Sequence, residues 1–144
     1  YVHTVAEEMP NIDTAKIREE YKGYVTALQG WWAVHKPEVI GREIEVWSDR
    51  LGFACRVDFV CKLQGEIWNI DFKTNDKCQI YNEVGLQLCA GKIALAESKD
   101  IKVEHTGAVA LSTTGEYAVK ETKDTEEELI HLIGLFNWIQ KKER

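Results

Sequence analysis

Between Gly52 and Thr74 the chain reads GFACRVDFVCKLQGEIWNIDFKT, two strand-like runs separated only by Gln64-Gly65. A two-residue turn at that point fixes the pairing of everything around it. The hairpin sets Val57 opposite Phe72, Asp58 opposite Asp71, Phe59 opposite Ile70 and Cys61 opposite Trp68. Side chains alternate along a strand, so one face of the hairpin is expected to be continuously apolar. The other face carries Asp58, Asp71 and, two residues along, Lys73. Directly opposed carboxylates have Cβ atoms only ~5 Å apart, and like charges that close destabilise a sheet. A shared proton, the ammonium of Lys73, or a divalent cation held by hard oxygen ligands can each offset the repulsion.

The flanking sequence predicts what covers this hairpin. After Asp13, read as a helix cap, Ile17, Tyr21, Tyr24, Val25, Leu28, Trp31, Trp32 and His35 recur in steps of three and four. That is an amphipathic helix, ended by Pro37. Val39 to Trp47 alternates, with Ile44 and Val46 facing one way and Glu43 and Glu45 the other, as in a half-buried strand. Gln79 to Glu97 reads as a second helix with Leu86, Ala90, Ile93, Ala94 and Ala96 on its apolar side. Gly107 to Ser112 and Glu116 to Lys120 form a further hairpin around Thr113-Thr114-Gly115. Asp124, with Glu127 three residues on, opens a last helix as a capping box. Leu129, Ile130, Leu132, Ile133, Phe136 and Ile139 give that helix a broad apolar face. The order describes an α+β (mixed α/β) domain, a central mixed sheet flanked by helices.

No repeat or linker divides the 144 residues, which read as a single domain over 1–144. The chain opens on Tyr1 rather than Met, which reads as a fragment or a processed chain. Hydrophobic residues at 44%, with only two prolines, are enough for a packed core and exclude disorder or a collagen-like class. No apolar run approaches the ~18 residues of a membrane span, and no basic-then-apolar leader is visible. A cytoplasmic-type protein without a membrane partner is expected. A net charge of −6 excludes a binder that works through a basic surface, but not an enzyme that meets phosphate through bound metal ions. Cys55, Cys61, Cys78 and Cys89 lie in apolar stretches with no CxxC pair, which reads as reduced thiols.

Two aspartates on adjacent strands, with Glu43 or Glu45 from the neighbouring strand, make a cup for Mg²⁺ or Mn²⁺. Lys73 is then placed to hold or deprotonate a water on the metal. The alternative is a solvated acidic patch neutralised by Arg56 and Lys73. Trp31, Trp32, Trp68 and Trp138 follow the apolar periodicities and read as core. Trp47 and Tyr81, near element ends, are the better candidates for stacking on bases. His35, His105 and His131 have no partner at ligand spacing and read as structural.

Asp58, a thirteen-residue step to Asp71, then Phe72 and Lys73-Thr74, resembles the PD-(D/E)XK nucleases and most closely their RecB-like exonuclease branch. His3 near the start, Glu43 or Glu45 on the first strand, and Gln87 on the helix after Thr74 follow the order of that family's motifs from about residue 3 to residue 92. Two positions depart from it. The family's Tyr four residues after Gln87 is Gly91, and the small residue three before Asp58 is Cys55. The resemblance implies a restriction-endonuclease-like core and a metal-dependent DNA exonuclease that leaves 5′-phosphates. Asp58, Asp71 and the backbone carbonyl of Phe72 would hold Mg²⁺ or Mn²⁺ with His3 and an upstream Glu. Glu45 lies nearer Asp58 in sequence, whereas Glu43 stands where the family's glutamate often falls and is favoured. Lys73 and Gln87 would serve catalysis and the nucleic acid. Some relatives carry a four-cysteine iron–sulfur cluster with three ligands near the C-terminus. No cysteine lies beyond Cys89, so none is expected. The expected partner is linear DNA, single- or double-stranded, in the cytoplasm of a bacterium or a phage-infected host. A non-cleaving nuclease-fold module for DNA binding or assembly is the alternative, and a hydrolase of small phosphoesters a third.

Overall fold

The computed structural model describes residues 6, 9–13, 15, 17–78 and 80–143, with side chains up to residue 141. Helix α1 (Lys22–His35) buries Val25, Leu28, Trp31 and Trp32, the stripe its periodicity predicts. It starts later than Asp13 implies. The Asp13 carboxylate accepts the Ala15 N–H at 3.1 Å, a local turn, and one 3₁₀ turn (Glu19–Tyr21) precedes the helix. Ile17 is still buried and Tyr21 packs on the same core, so the apolar spacing is used without a continuous helix. Lys36 closes α1 in the left-handed conformation at φ 45°, its N–H on Trp32 O at 2.8 Å, and Pro37 follows.

Strands β1 (Glu38–Ser48), β2 (Phe53–Leu63), β3 (Glu66–Thr74), β4 (His105–Leu111) and β5 (Tyr117–Glu121) form one sheet in sequential order. All neighbours are antiparallel except β3 and β4, which run parallel and are joined through α2 (Glu83–Lys99). Helix α3 (Glu126–Glu143) ends the described chain, and the Asp124 carboxylate accepts the Glu126 N–H at 3.0 Å. The domain is therefore α+β, a five-strand mixed sheet with three helices packed on it. Among the described residues no helix is long and apolar enough to cross a membrane.

The hairpin register is the expected one, running from Leu63↔Glu66 through Cys61↔Trp68 to Phe59↔Ile70. Gln64 and Gly65 both have positive φ, 51° and 82°, the requirement of a two-residue turn that matches strand twist. The core lies in layers on the two faces of the sheet. Toward α1, Trp31 meets Phe59 and Phe72 edge-on, with ring centroids 6.3 and 5.4 Å away. On the other side Val46, Val57 and Val60 pack with Ala94 and Leu95 of α2.

Val57 corrects the expectation of a continuous apolar face beside Phe72. Val57 and Val60, three residues apart, share the α2 layer, whereas Phe59 and Cys61 belong to the α1 layer. Alternation slips by one residue at Asp58. Across from it stands Glu43, with φ 47°, between the pairs Arg42↔Phe59 and Ile44↔Val57, which keep one register; the register shift of β1 on β2 lies farther along, between Val39 and Gly41.

Two further expectations are corrected. Helix α2 begins at Glu83 rather than Gln79 and buries Val84, Leu88, Gly91, Ala94 and Leu95, while Ala96 is exposed. Among the described side chains of α3 only Leu129 is fully buried, and Trp138, expected in the core, is 57% exposed. The helix packs mainly on α2, which already covers the sheet, so its remaining apolar residues find no interior to enter. The four cysteines are free thiols, and burial pushes that of Cys61 up to about 12.

Candidate functional site

Asp58 and Asp71 occupy the next step of the hairpin beyond the Phe59↔Ile70 pair. Below that step the strands are stitched together. At it, the Phe72 N–H donates to Asp58 Oδ2 at 3.3 Å, a cross-strand bond in which a side chain takes the acceptor role. The Asp71 carboxyl group lies close enough to disfavour a negative charge on Asp58. Removal from water is the largest influence on Asp58, with Asp71 next, and its pKa is raised from 3.8 to about 8. The Phe72 N–H works against that rise, and the charge of Glu43 adds to it.

Asp71 Oδ2 is buried and accepts no hydrogen bond among the described residues. Lys73 Nζ lies 3.2 Å from it, close enough for an ion pair though not aligned as a hydrogen bond. The Lys73 side chain is 37% exposed and that of Asp71 only 15%, so the lysine is the more open partner of the pair. Phe72, between them, turns its ring into the α1 layer. The period of two along β3 thus separates the packing from the chemistry.

Glu43 and Glu45 differ in their surroundings. Arg56 holds both, at 3.9 and 3.1 Å, but the Glu45 side chain is 77% exposed and that of Glu43 only 21%. Of the two glutamates, Glu43 is the one whose charge contributes to the rise at Asp58. The structure therefore brings together Glu43, Asp58, Asp71 and Lys73. His3 lies outside the described residues.

A cleft of about 380 Å³ opens over these groups, with Asp58, Asp71 and Lys73 on its floor, Gln87 of α2 on one wall, and Leu129 and Leu132 of α3 on another. Gln87 is exposed there rather than capping an interior group. The sequence reading missed Asn69. Its side chain is buried beneath α2 and donates to Leu88 O at 3.1 Å, tying the helix that carries Gln87 to the strand that carries Asp71. A polar residue two positions before Asp71, on the same face, was the available signal.

Gly91 explains the departure noted at that position. A Cβ there would lie 2.7 Å from both Asn69 Nδ2 and Val57 Cγ1, so α2 rests directly on the sheet and an aromatic ring has no room. Gly91→Ala is expected to cost about 1–3 kcal/mol through this overpacking. The thermal midpoint should fall by several degrees, and an unchanged midpoint would show that α2 can lift from the sheet without penalty.

The donor set suits a small hard cation. It offers a buried carboxylate oxygen with no hydrogen bond, a second carboxylate beside it, and a third acid within electrostatic reach. Among the described residues no three His, Cys, Asp or Glu side chains are spaced to hold a metal ion by themselves. Mg²⁺ does not require that, since it commonly binds through one or two carboxylates and keeps waters or substrate oxygens elsewhere. Trp47 is 43% exposed under the Lys99 ammonium, 4.9 Å from its ring, and Tyr81 is 60% exposed. Neither lines this cleft. No protein-family model matches the chain, and no curated protein matches it either.

Proposed function

We propose that the protein is a Mg²⁺- or Mn²⁺-dependent exonuclease acting on linear DNA, in recombination, repair or phage DNA metabolism within a bacterial or phage-infected cytoplasm. The observation that carries this reading is the buried Asp71 Oδ2, which accepts no hydrogen bond among the described residues, with Lys73 Nζ 3.2 Å away and Asp58 lining the same open cleft. Asp58, Asp71 and the Phe72 carbonyl would hold the cation, with Glu43 in reach and His3 as a further candidate ligand. When bound, it supplies charge stabilisation at the scissile phosphate and acidifies a water molecule.

The chain's own residues do the remainder. Asp58, whose pKa is raised by burial, gives up its proton, so cation binding is coupled to proton release. The Lys73 ammonium donates a hydrogen bond that orients the attacking water, and its charge favours transfer of that water's proton to solvent, which returns a proton to the departing 3′ oxygen. The Gln87 amide, on the cleft wall, positions the nucleic acid. In-line attack expels the 3′ oxygen and leaves a 5′-phosphate. With a net charge of −6, affinity for DNA rests on the cleft rather than on a basic surface.

The test is cleavage of end-labelled linear DNA and of a circle of the same sequence, with Mg²⁺, Mn²⁺ or a chelator. Linear DNA should be degraded, the circle spared, and the chelator should stop the reaction. DNA bound but left intact with either metal would replace this reading with that of a non-cleaving binding or assembly module. Hydrolysis of a chromogenic phosphodiester but not of DNA would point to a small-phosphoester hydrolase.

A further inference from the structure

Two cationic side chains line the cleft, Lys73 and Arg56, and the reaction as described uses only the lysine. Arg56 stands on β2 two residues before Asp58, directly opposite Glu45 of β1. Its side chain is 58% exposed and that of Glu45 77%. Among the described residues the guanidinium makes one hydrogen bond, from Nη2 to Glu45 Oε1 at 3.1 Å. Nη1 lies 3.9 Å from Glu43, an electrostatic contact too long for a hydrogen bond. A guanidinium carries five N–H donors in a planar fork, so most of them are open to a further acceptor. Glu45 does not line the cleft, and a pair between side chains this exposed adds little to stability. Exchanging Glu45 for another anion is therefore easy.

The position selects that anion. Lys73 is committed to Asp71 at 3.2 Å, which leaves Arg56 as the cleft's remaining positive charge for the nucleic acid itself. The guanidinium fork matches two oxygens of one phosphate, and it is less strongly hydrated than an ammonium. Glu43 faces both groups, since its charge bears on Asp58 and its carboxylate lies beside Nη1. Engaged at the acid pair, Glu43 leaves that side of the guanidinium free. We propose that Arg56 is the phosphate-binding residue of the cleft, held by Glu45 at rest and transferred to a backbone phosphate when a DNA strand enters. The proposal rests on the exonuclease reading of the same cleft. Arg56 then sets affinity and its salt dependence rather than the rate of the chemical step.

The test is the affinity for a fluorescently labelled single-stranded oligonucleotide with Mg²⁺, measured in the Lys73→Ala chain, which should hold DNA without cutting it. Arg56→Gln should weaken binding roughly tenfold while circular dichroism stays unchanged. The slope of log affinity against log salt should become shallower by about 0.7, the share of one phosphate on a single strand. Arg56→Lys should restore the slope but only part of the affinity, since it keeps the charge and loses the fork. Glu45→Gln should tighten binding about two- to fivefold, and should add nothing in combination with Arg56→Gln. With Lys73 intact, Arg56→Gln should raise KM and leave kcat within about twofold. Affinity and salt slope unmoved by Arg56→Gln would overturn the inference, as would equal tightening by Glu45→Gln with and without the arginine. Arg56-dependent binding by a chain that never cleaves would uphold the phosphate site and remove the exonuclease reading alone.

Discussion

Asp71→Ala is expected to abolish Mg²⁺- or Mn²⁺-dependent degradation of linear DNA, with initial rates falling on the order of 10³-fold or more. Losing one of two carboxylates from a site of this size removes both a ligand and half of the local negative charge. The fold should survive. The Asp71 carboxylate has a buried oxygen that accepts no hydrogen bond and stands against a second acid, so deleting it removes an electrostatic conflict rather than a support. The thermal midpoint of the metal-free variant should equal or exceed that of the parent. Lys73→Ala should lose activity comparably while leaving the acid pair, and hence cation binding, in place. Cleavage retained by either variant would refute the assignment, because among the described residues no other acid–lysine cluster lines the cleft.

In the absence of divalent cations the protein should lose stability as pH rises from about 4 to about 9. Asp58 is the reason. Burial, and then its neighbour Asp71, raise its pKa from 3.8 in the unfolded chain to about 8 in the folded one. A carboxyl shifted in that direction favours the fold while both states are protonated. The advantage is then lost progressively as pH climbs from the unfolded value through the folded one. A shift of that size corresponds to about 6 kcal/mol at most, and solvent reaching the half-buried carboxyl leaves about 2–4 kcal/mol. For a chain of this length that is roughly 6–12 °C in the thermal midpoint.

Asp58→Asn should flatten the profile and raise the midpoint near the alkaline end. Mg²⁺ or Mn²⁺ should restore the parent there and leave the variant unmoved. A parent profile that is already flat, or an equal response of parent and variant to metal, would remove the physical basis for coupling between the acid pair and a cation.

How much of this was legible in the sequence depends on the range of the interaction involved. The register of β2 on β3 follows from a turn of two residues, so the meeting of Asp58 with Asp71 could be read from spacing alone. The slip at Asp58 could not. It belongs to the pairing of β2 with β1, where the positive φ of Glu43 breaks an alternation that both strands carry in their sequences. The choice between Glu43 and Glu45 was unreadable for the same reason. Their types and spacing are equivalent, and only the folded strand, with Glu43 at a positive φ, separates a half-buried acid from an exposed one.

Gly91 and Asn69 are legible only together. Each is unremarkable in its own element until α2 is laid across β3 and the missing Cβ becomes the space that the Asn69 amide fills. The apolar residues of α3 read as core because periodicity reports amphipathicity, not which surface receives it. The sequence by itself determined the elements, their order, the hairpin register and the acid pair, all consequences of neighbours on the chain or across one tight turn. Only the tertiary structure decided which face each helix covers, which glutamate approaches the acids, and that α3 keeps its apolar stripe in solvent. Those outcomes turn on competition for a limited area of sheet between segments distant in sequence, and α2 occupies that area first.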